Sequence, residues 1–226
     1  MKKPRLYPVL LFFLLLSVTI LRLLYSRSLT LDPDETYYWE WSRHLALSYY
    51  DHPPLVAYLI SLFTRLGGNS ALFVRMGAVT LALGATLLLY FLAKDMFREE
   101  KIAFLSALLF IIVPIFSVGA IVITPDTPLS FFWILSLYFL YKVATREKSG
   151  WWYLLGISLG LGLLSKYTMI LFVPSLFLFL LLSGKNRKWL LRKELYLALF
   201  IALLLFSPVI FWNSQHAWIS FRFQYL

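Results

Sequence analysis

Cysteine is absent from the 226-residue chain, which excludes disulfides, thiolate-held metals and a cysteine nucleophile. Charge is scarce as well. Only 14% of the residues are Asp, Glu, Lys or Arg, against about 25% in a soluble domain, while 61% are hydrophobic. So few charges cannot cover a water-facing surface. The sequence also lacks GxSxG, a phosphate-binding glycine loop, HExxH and the glycine-rich dinucleotide fingerprint, which removes the common soluble enzyme signatures. Most apolar runs have no charged residue deep inside them, where ion-coupled transporters generally need one.

What is present is apolar sequence in long blocks. A bilayer core takes about 20 apolar helical residues, with a range near 17–25. Seven stretches approach this: Leu6–Tyr25, Ala71–Ala93, Ile102–Val122, Leu129–Thr145, Trp151–Leu164, Met169–Ser183 and Leu195–Trp212, the fifth and sixth being short. The expected fold is an all-α polytopic membrane protein with one transmembrane domain over residues 1–226. Its first span is 6–25, an external loop covers 26–70, the other spans lie within 71–212, and the tail is 213–226. No small-residue cleavage site follows the first span, so it reads as an uncleaved anchor and not a signal peptide.

The net charge is +10, with a pI near 9.8. The basic residues form short clusters between apolar spans, a pattern that orients membrane proteins and argues against a nucleic-acid partner. With a cytoplasmic N-terminus, one side receives Lys2, Lys3, Arg5, Lys94, Arg98, Lys101, Lys142, Arg146, Lys148, Lys185, Arg187, Lys188, Arg192 and Lys193. The other side and its border receive Arg22, Arg27, Arg43, Arg65, Arg75, Lys166 and Arg222. Fourteen against seven satisfies the positive-inside rule. Leu226 then lies outside, and the aromatic stretch from Trp218 has no closing charge cluster. The chain is expected to be the N-terminal part of a longer protein.

The 26–70 loop carries the strongest local signals. Asp32-Pro33-Asp34-Glu35 has a capping Asp, a proline at the first helical position and acidic residues in the first turn. Tyr37, Tyr38, Trp39 and Trp41 follow, which suits an interfacial helix. Asp51-His52-Pro53-Pro54 breaks the chain, and Leu55–Leu66 is apolar but too short to span.

Few residues could carry chemistry, and each has two readings. Asp34 and Glu35 either stabilise a helix start or supply a general base, and adjacent helical positions let only one of them face a given pocket. Asp126, in Thr124-Pro125-Asp126-Thr127-Pro128, either caps the next helix or joins Asp34 in binding a divalent metal or sugar hydroxyls; spacing alone leaves the metal question open. His52 belongs to a turn or to a site. Lys166, followed by Tyr167, either snorkels to the headgroups or meets a phosphate there.

Taken in order, Asp32-Pro33-Asp34-Glu35-Thr36-Tyr37-Tyr38-Trp39, Tyr49-Tyr50-Asp51-His52-Pro53-Pro54-Leu55, Thr124-Pro125-Asp126-Thr127-Pro128, Leu164-Ser165-Lys166-Tyr167-Thr168 and Pro208-Val209-Ile210-Phe211-Trp212-Asn213 resemble the membrane glycosyltransferases of the GT-C fold. The nearest pattern is that of bacterial relatives of dolichyl-phosphate-mannose protein mannosyltransferases and of the aminoarabinose transferase acting on lipid A. The resemblance implies a polyprenyl-phosphate-linked sugar as donor, inverting transfer on the periplasmic face of the inner membrane, and a lipid, glycan or protein acceptor. It implies Asp34 as the base, Glu35 in support, Asp126 organising the site, and Lys166 with His52 on the donor phosphate, beside Tyr167. The aminoarabinose enzyme has an acidic-Lys-Pro-Pro turn where this chain has Asp51-His52-Pro53-Pro54, which sets a titrating group in place of a permanent cation. A transporter or flippase of a lipid-linked conjugate is the alternative reading; it calls for inverted repeats and mid-membrane ionisable groups.

Overall fold

The computed structural model describes residues 6–224. Lys2, Lys3, Arg5 and Leu226, which enter the orientation argument, lie outside the described residues. Among the described residues every regular element is helical. In chain order these are α1 (Leu6–Ser28), α2 (Pro33–Arg43), α3 (Leu55–Gly67), α4 (Ala71–Phe97), α5 (Glu100–Ile112), α6 (Pro114–Gly119), α7 (Asp126–Arg146), α8 (Gly150–Ser165), α9 (Phe172–Leu182), α10 (Lys193–Gln215) and α11 (Ile219–Phe223). Short 3-10 helices cover Tyr167–Leu171 and Arg187–Leu191.

Among the described residues four helices, α1, α4, α7 and α10, are long and apolar enough to cross a bilayer. The expected spans over 151–164 and 169–183 appear as shorter apolar helices, Gly150–Ser165 and Tyr167–Leu182. The stretch 102–122 is not one helix. α5 ends at Ile112, Val113 is extended (φ −64°, ψ 123°) and Pro114 opens α6. The cause is Pro114, whose ring disfavours helical backbone at the residue before it and which brings no amide hydrogen of its own.

The chain divides into two compact units, Met1–Arg43 with Leu59–Thr127, and His44–Tyr58 with Pro128–Leu226. In the first, α1, α4 and α5 pack around Leu11, Leu15, Tyr90, Ala103, Ala107 and Ile111. α4 carries Arg75 near its start and Lys94 near its end, 19 residues apart. At 1.5 Å per residue that is about 28 Å, close to the hydrocarbon thickness of a bilayer. Arg75 and Lys94 therefore mark opposite ends of this unit.

In the second unit, α8 lies close along α10. A Cβ added to Gly156 would stand 2.4 Å from the Ala198 carbonyl oxygen, and one on Gly160 would stand 3.2 Å from Ala202 Cα. Small residues on both helices let the backbones approach, the usual basis of helix association in lipid. Ser136 and Ser158 share a buried hydrogen bond of 2.8 Å between α7 and α8. Pro208 inside α10 cannot donate to Leu204, and the Ser207 hydroxyl donates to that carbonyl instead at 2.7 Å.

Candidate functional site

The local signals around residue 32 produce a capping box. The Asp34 amide donates to Asp32 Oδ1 at 3.1 Å, and the Asp32 amide donates to Glu35 Oε2 at 3.0 Å. Two amides at the start of α2 are thus satisfied reciprocally. This fixes the direction of the two acidic side chains. Glu35 is fully buried, whereas Asp34 is exposed, and its carboxylate has no hydrogen bond or ion pair among the described residues.

Glu35 is the hub of the first unit. Arg75 Nε lies 2.8 Å from Oε1 and Nη2 lies 2.5 Å from Oε2, a two-pronged pair buried on both sides. The Ile123 amide donates to Oε1 at 3.0 Å. The remaining Arg75 donors reach the carbonyls of Ser26, Leu29 and Thr30 at 3.3, 3.0 and 2.8 Å. One buried ion pair therefore gathers the end of α1, the start of α2, the N-terminal part of α4 and the turn before α7. Asp126, exposed at the first position of α7, follows Ile123 by three residues. Thr127 holds that turn through its hydroxyl, which donates to Gly119 at 3.0 Å. Asp34 and Asp126 are in this way carried on segments joined through a single carboxylate.

Lys166, Tyr167 and His52 belong to the second unit. α8 stops at Ser165, and Lys166 is extended (φ −156°, ψ 141°), its amide bonded to the Gly162 carbonyl. The Tyr167 hydroxyl lies 2.5 Å from Ser220 Oγ and 3.5 Å from Ser48 Oγ. Its ring meets Phe206 and Phe221 edge-on. The Ser220 amide in turn donates to Asn213 Oδ1 at 3.2 Å. His52 is half-buried, and its carbonyl accepts from the Tyr49 amide at 3.2 Å. Gln224 donates to the Asp51 carbonyl at 2.8 Å. Burial pushes the Tyr49 hydroxyl above its usual pKa, so it stays protonated and donates to the His44 carbonyl at 3.2 Å. The turn before Pro53, the segment after α8 and the tail past α10 thus form one network.

Sequence reasoning did not single out Arg75 as a site residue. Its signal was an arginine inside an otherwise apolar run, which needs a counter-charge. Among the described residues no group of three or more His, Asp or Glu side chains gathers as metal ligands do.

The family model described as dolichyl-phosphate-mannose-protein mannosyltransferase matches residues 51–212. The chain belongs to that family. Among relatives, this family member is 29% identical over 184 residues to the lipid A galacturonosyltransferase RgtD of Rhizobium johnstonii, covering 81% of this chain and 38% of that protein. It is 29% identical over 161 residues to an undecaprenyl phosphate-α-4-amino-4-deoxy-L-arabinose arabinosyl transferase of Proteus mirabilis, covering 63% of this chain and 29% of the other. In fold it is similar to ArnT from Cupriavidus metallidurans bound to undecaprenyl phosphate, with a TM-score of 0.75 at 22% identity over 95% of this chain and 42% of that one. The protein O-mannosyltransferase complex Pmt1-Pmt2 of Saccharomyces cerevisiae, bound to the sugar donor, gives 0.67 at 19% identity over 97% and 35%. The chain spans about a third of the length of the curated relatives it matches.

Proposed function

We propose that this family member carries the catalytic residues of an inverting glycosyltransferase that moves a sugar from a polyprenyl-phosphate donor to an acceptor hydroxyl. The observation that carries this is the Glu35 hub. It presents Asp34, with an unencumbered carboxylate, on the segment bonded to the turn that leads into Asp126.

In the proposed reaction Asp34 takes the proton of the acceptor hydroxyl. The acceptor oxygen forms a bond to the anomeric carbon as the bond from that carbon to the phosphate oxygen breaks. The phosphate leaves with the electron pair. A phosphate leaving group needs little protonation near neutrality, so a single base suffices where glycosidases employ two carboxyls. Lys166, assisted by His52, stabilises the charge that builds on the phosphate. Tyr167 holds the Lys166 segment in place, Glu35 positions α2, and Asp126 orients sugar hydroxyls.

The charge asymmetry of the loops supports seven passes, a cytoplasmic N-terminus and a reaction on the periplasmic side. The name of RgtD supports a lipid among the acceptor classes, and that of the arabinosyl transferase supports a polyprenyl-phosphate-linked sugar as donor. The experiment gives the purified full protein, in lipid nanodiscs, a polyprenyl-phosphate-linked sugar and a lipid acceptor. Acceptor-dependent release of polyprenyl phosphate supports the reading. Donor carried across a proteoliposome membrane intact, with no cleavage, points instead to transport.

A further inference from the structure

One edge of the second unit carries a charge pattern that the proposed reaction does not use. Arg146 closes α7, Gly150 opens α8 and Lys193 opens α10, and these helix ends meet away from Lys166, which follows the far end of α8. Arg146 and Lys148 lie at the α7–α8 turn. Lys185, Arg187, Lys188, Arg192 and Lys193 lie between α9 and α10 or at the border of α10. All of these basic side chains are exposed, and the one exposed carboxylate in the two stretches is Glu147. The positive charge at this edge therefore far exceeds its local compensation.

The two loops form one fixed surface. Glu147 accepts from Lys188 at 2.6 Å and pairs with Lys185 at 3.4 Å, and the Ser149 hydroxyl donates to Glu194 at 3.2 Å. Trp189, buried, meets Trp152 edge-on with ring centroids 5.5 Å apart. The Arg187 guanidinium donates twice to the Leu181 carbonyl, at 3.1 and 2.7 Å, and the Tyr196 hydroxyl donates to the Leu190 carbonyl at 2.7 Å. With its anchors turned inward, the loop before α10 presents apolar groups outward beside its charges: Leu182 is 75% exposed and Leu191 is 92% exposed. We propose that these two loops form a docking surface for anionic phospholipids, whose phosphodiesters meet the basic side chains while Leu182 and Leu191 enter the acyl layer.

Position and charge select the partner. α7 and α10 are long enough to cross a bilayer, so the residues at their ends stand at headgroup level, where basic clusters attract anionic lipid. A soluble polyanion would satisfy the charges and leave both leucines in water; acyl chains cover them. A zwitterionic headgroup brings an ammonium of its own and gains little from an excess of positive charge. Glu147 is then an internal competitor, since it holds two lysines that a phosphodiester would otherwise engage. Removing it should strengthen lipid binding, which a purely structural ion pair would not do. The surface stands independently of sugar transfer.

The test reads the surface locally, with a fluorophore on Leu191→Cys in a cysteine-free background of the full protein. Quenching by brominated phosphatidylglycerol is compared with quenching by brominated phosphatidylcholine in mixed membranes. Phosphatidylglycerol is expected to be preferred by about fivefold or more at low salt, and less at high salt. Arg192→Gln with Lys193→Gln should cut the preference to about twofold or less, and Glu147→Gln should raise it by about twofold or more. The substituted side chains are exposed, so these variants should fold. Equal quenching by the two lipids overturns the proposal, as does an undiminished preference in the double variant, or one that does not rise in Glu147→Gln. A probe reached by aqueous iodide and by neither brominated lipid overturns the placement in the membrane. Shielding of the probe from iodide by inorganic polyphosphate, without quenching by phosphatidylglycerol, points to a soluble polyanion and overturns the lipid assignment.

Discussion

Arg75 and Glu35, forty residues apart in sequence, meet as a buried two-pronged ion pair whose remaining hydrogen-bonding capacity is filled by backbone. The carboxylate takes the Asp32 and Ile123 amides, and the guanidinium takes the carbonyls of Ser26, Leu29 and Thr30. This complete satisfaction is what makes a buried pair tolerable in a low-dielectric interior.

Breaking the pair from one side strands the other charge. Arg75→Met is expected to destabilise the protein by about 3–5 kcal/mol, and Glu35→Leu by a similar amount. The double variant recovers a large part of the loss, because neither charge is left alone. Thermal unfolding of the three variants in one detergent checks this. Additive losses in the double variant would contradict the coupling.

The α8–α10 contact gives a purely steric prediction. Gly156→Ala drives a methyl into the Ala198 backbone, which cannot yield as a side chain end would, so a loss of about 1–3 kcal/mol is expected. Gly119→Ala, with nothing within 4 Å of the added carbon, serves as the control and stays near neutral. Unfolding midpoints of the two variants measured side by side provide the comparison.

Glu147 offers a pH prediction. The Lys188 ammonium at 2.6 Å, and Lys185 at 3.4 Å, hold its carboxyl below the usual carboxylate range. A depressed folded-state pKa gives stability that is present above the ordinary value, about 4, and is lost as pH falls through the lower one. The group is exposed, so the effect is small and salt-sensitive. Glu147→Gln should lower stability slightly near pH 7 in low salt and converge with wild type in acid, below the depressed pKa, which flattens the acid limb of the profile.

Lys166→Ala is expected to weaken donor binding by about 10- to 100-fold, the loss of a charge-assisted hydrogen bond, and to change acceptor binding far less. Titration of each substrate separately reads this. Equal losses for both would remove Lys166 from the phosphate.

How much of this was legible in sequence depends on range. The start of α2 was readable because its signals are local: Asp32, Pro33 and Glu35 lie within four residues and form the capping box together. Lys166 stood between two apolar runs, and α8 does end one residue before it. The Arg75–Glu35 pair was not readable, since nothing in spacing selects that arginine from 21 basic residues. Only its place inside an apolar run hinted at a partner. The break at Val113 was visible as Pro114, but apolar composition over 102–122 outweighed one residue. Glu35 illustrates the converse: sequence paired it with Asp34 as a neighbour, and burial separates them into a positioning group and an exposed carboxylate.

The most direct test of the account replaces Asp34 by Asn. Its side chain is exposed and bonds to nothing among the described residues, so folding and membrane insertion should be unchanged to within about 0.5 kcal/mol. Sugar transfer from a polyprenyl-phosphate donor should fall by about 10²- to 10⁴-fold, the contribution of a general base. Transfer at the wild-type rate by Asp34→Asn, in protein that is folded and inserted, would contradict the central claim.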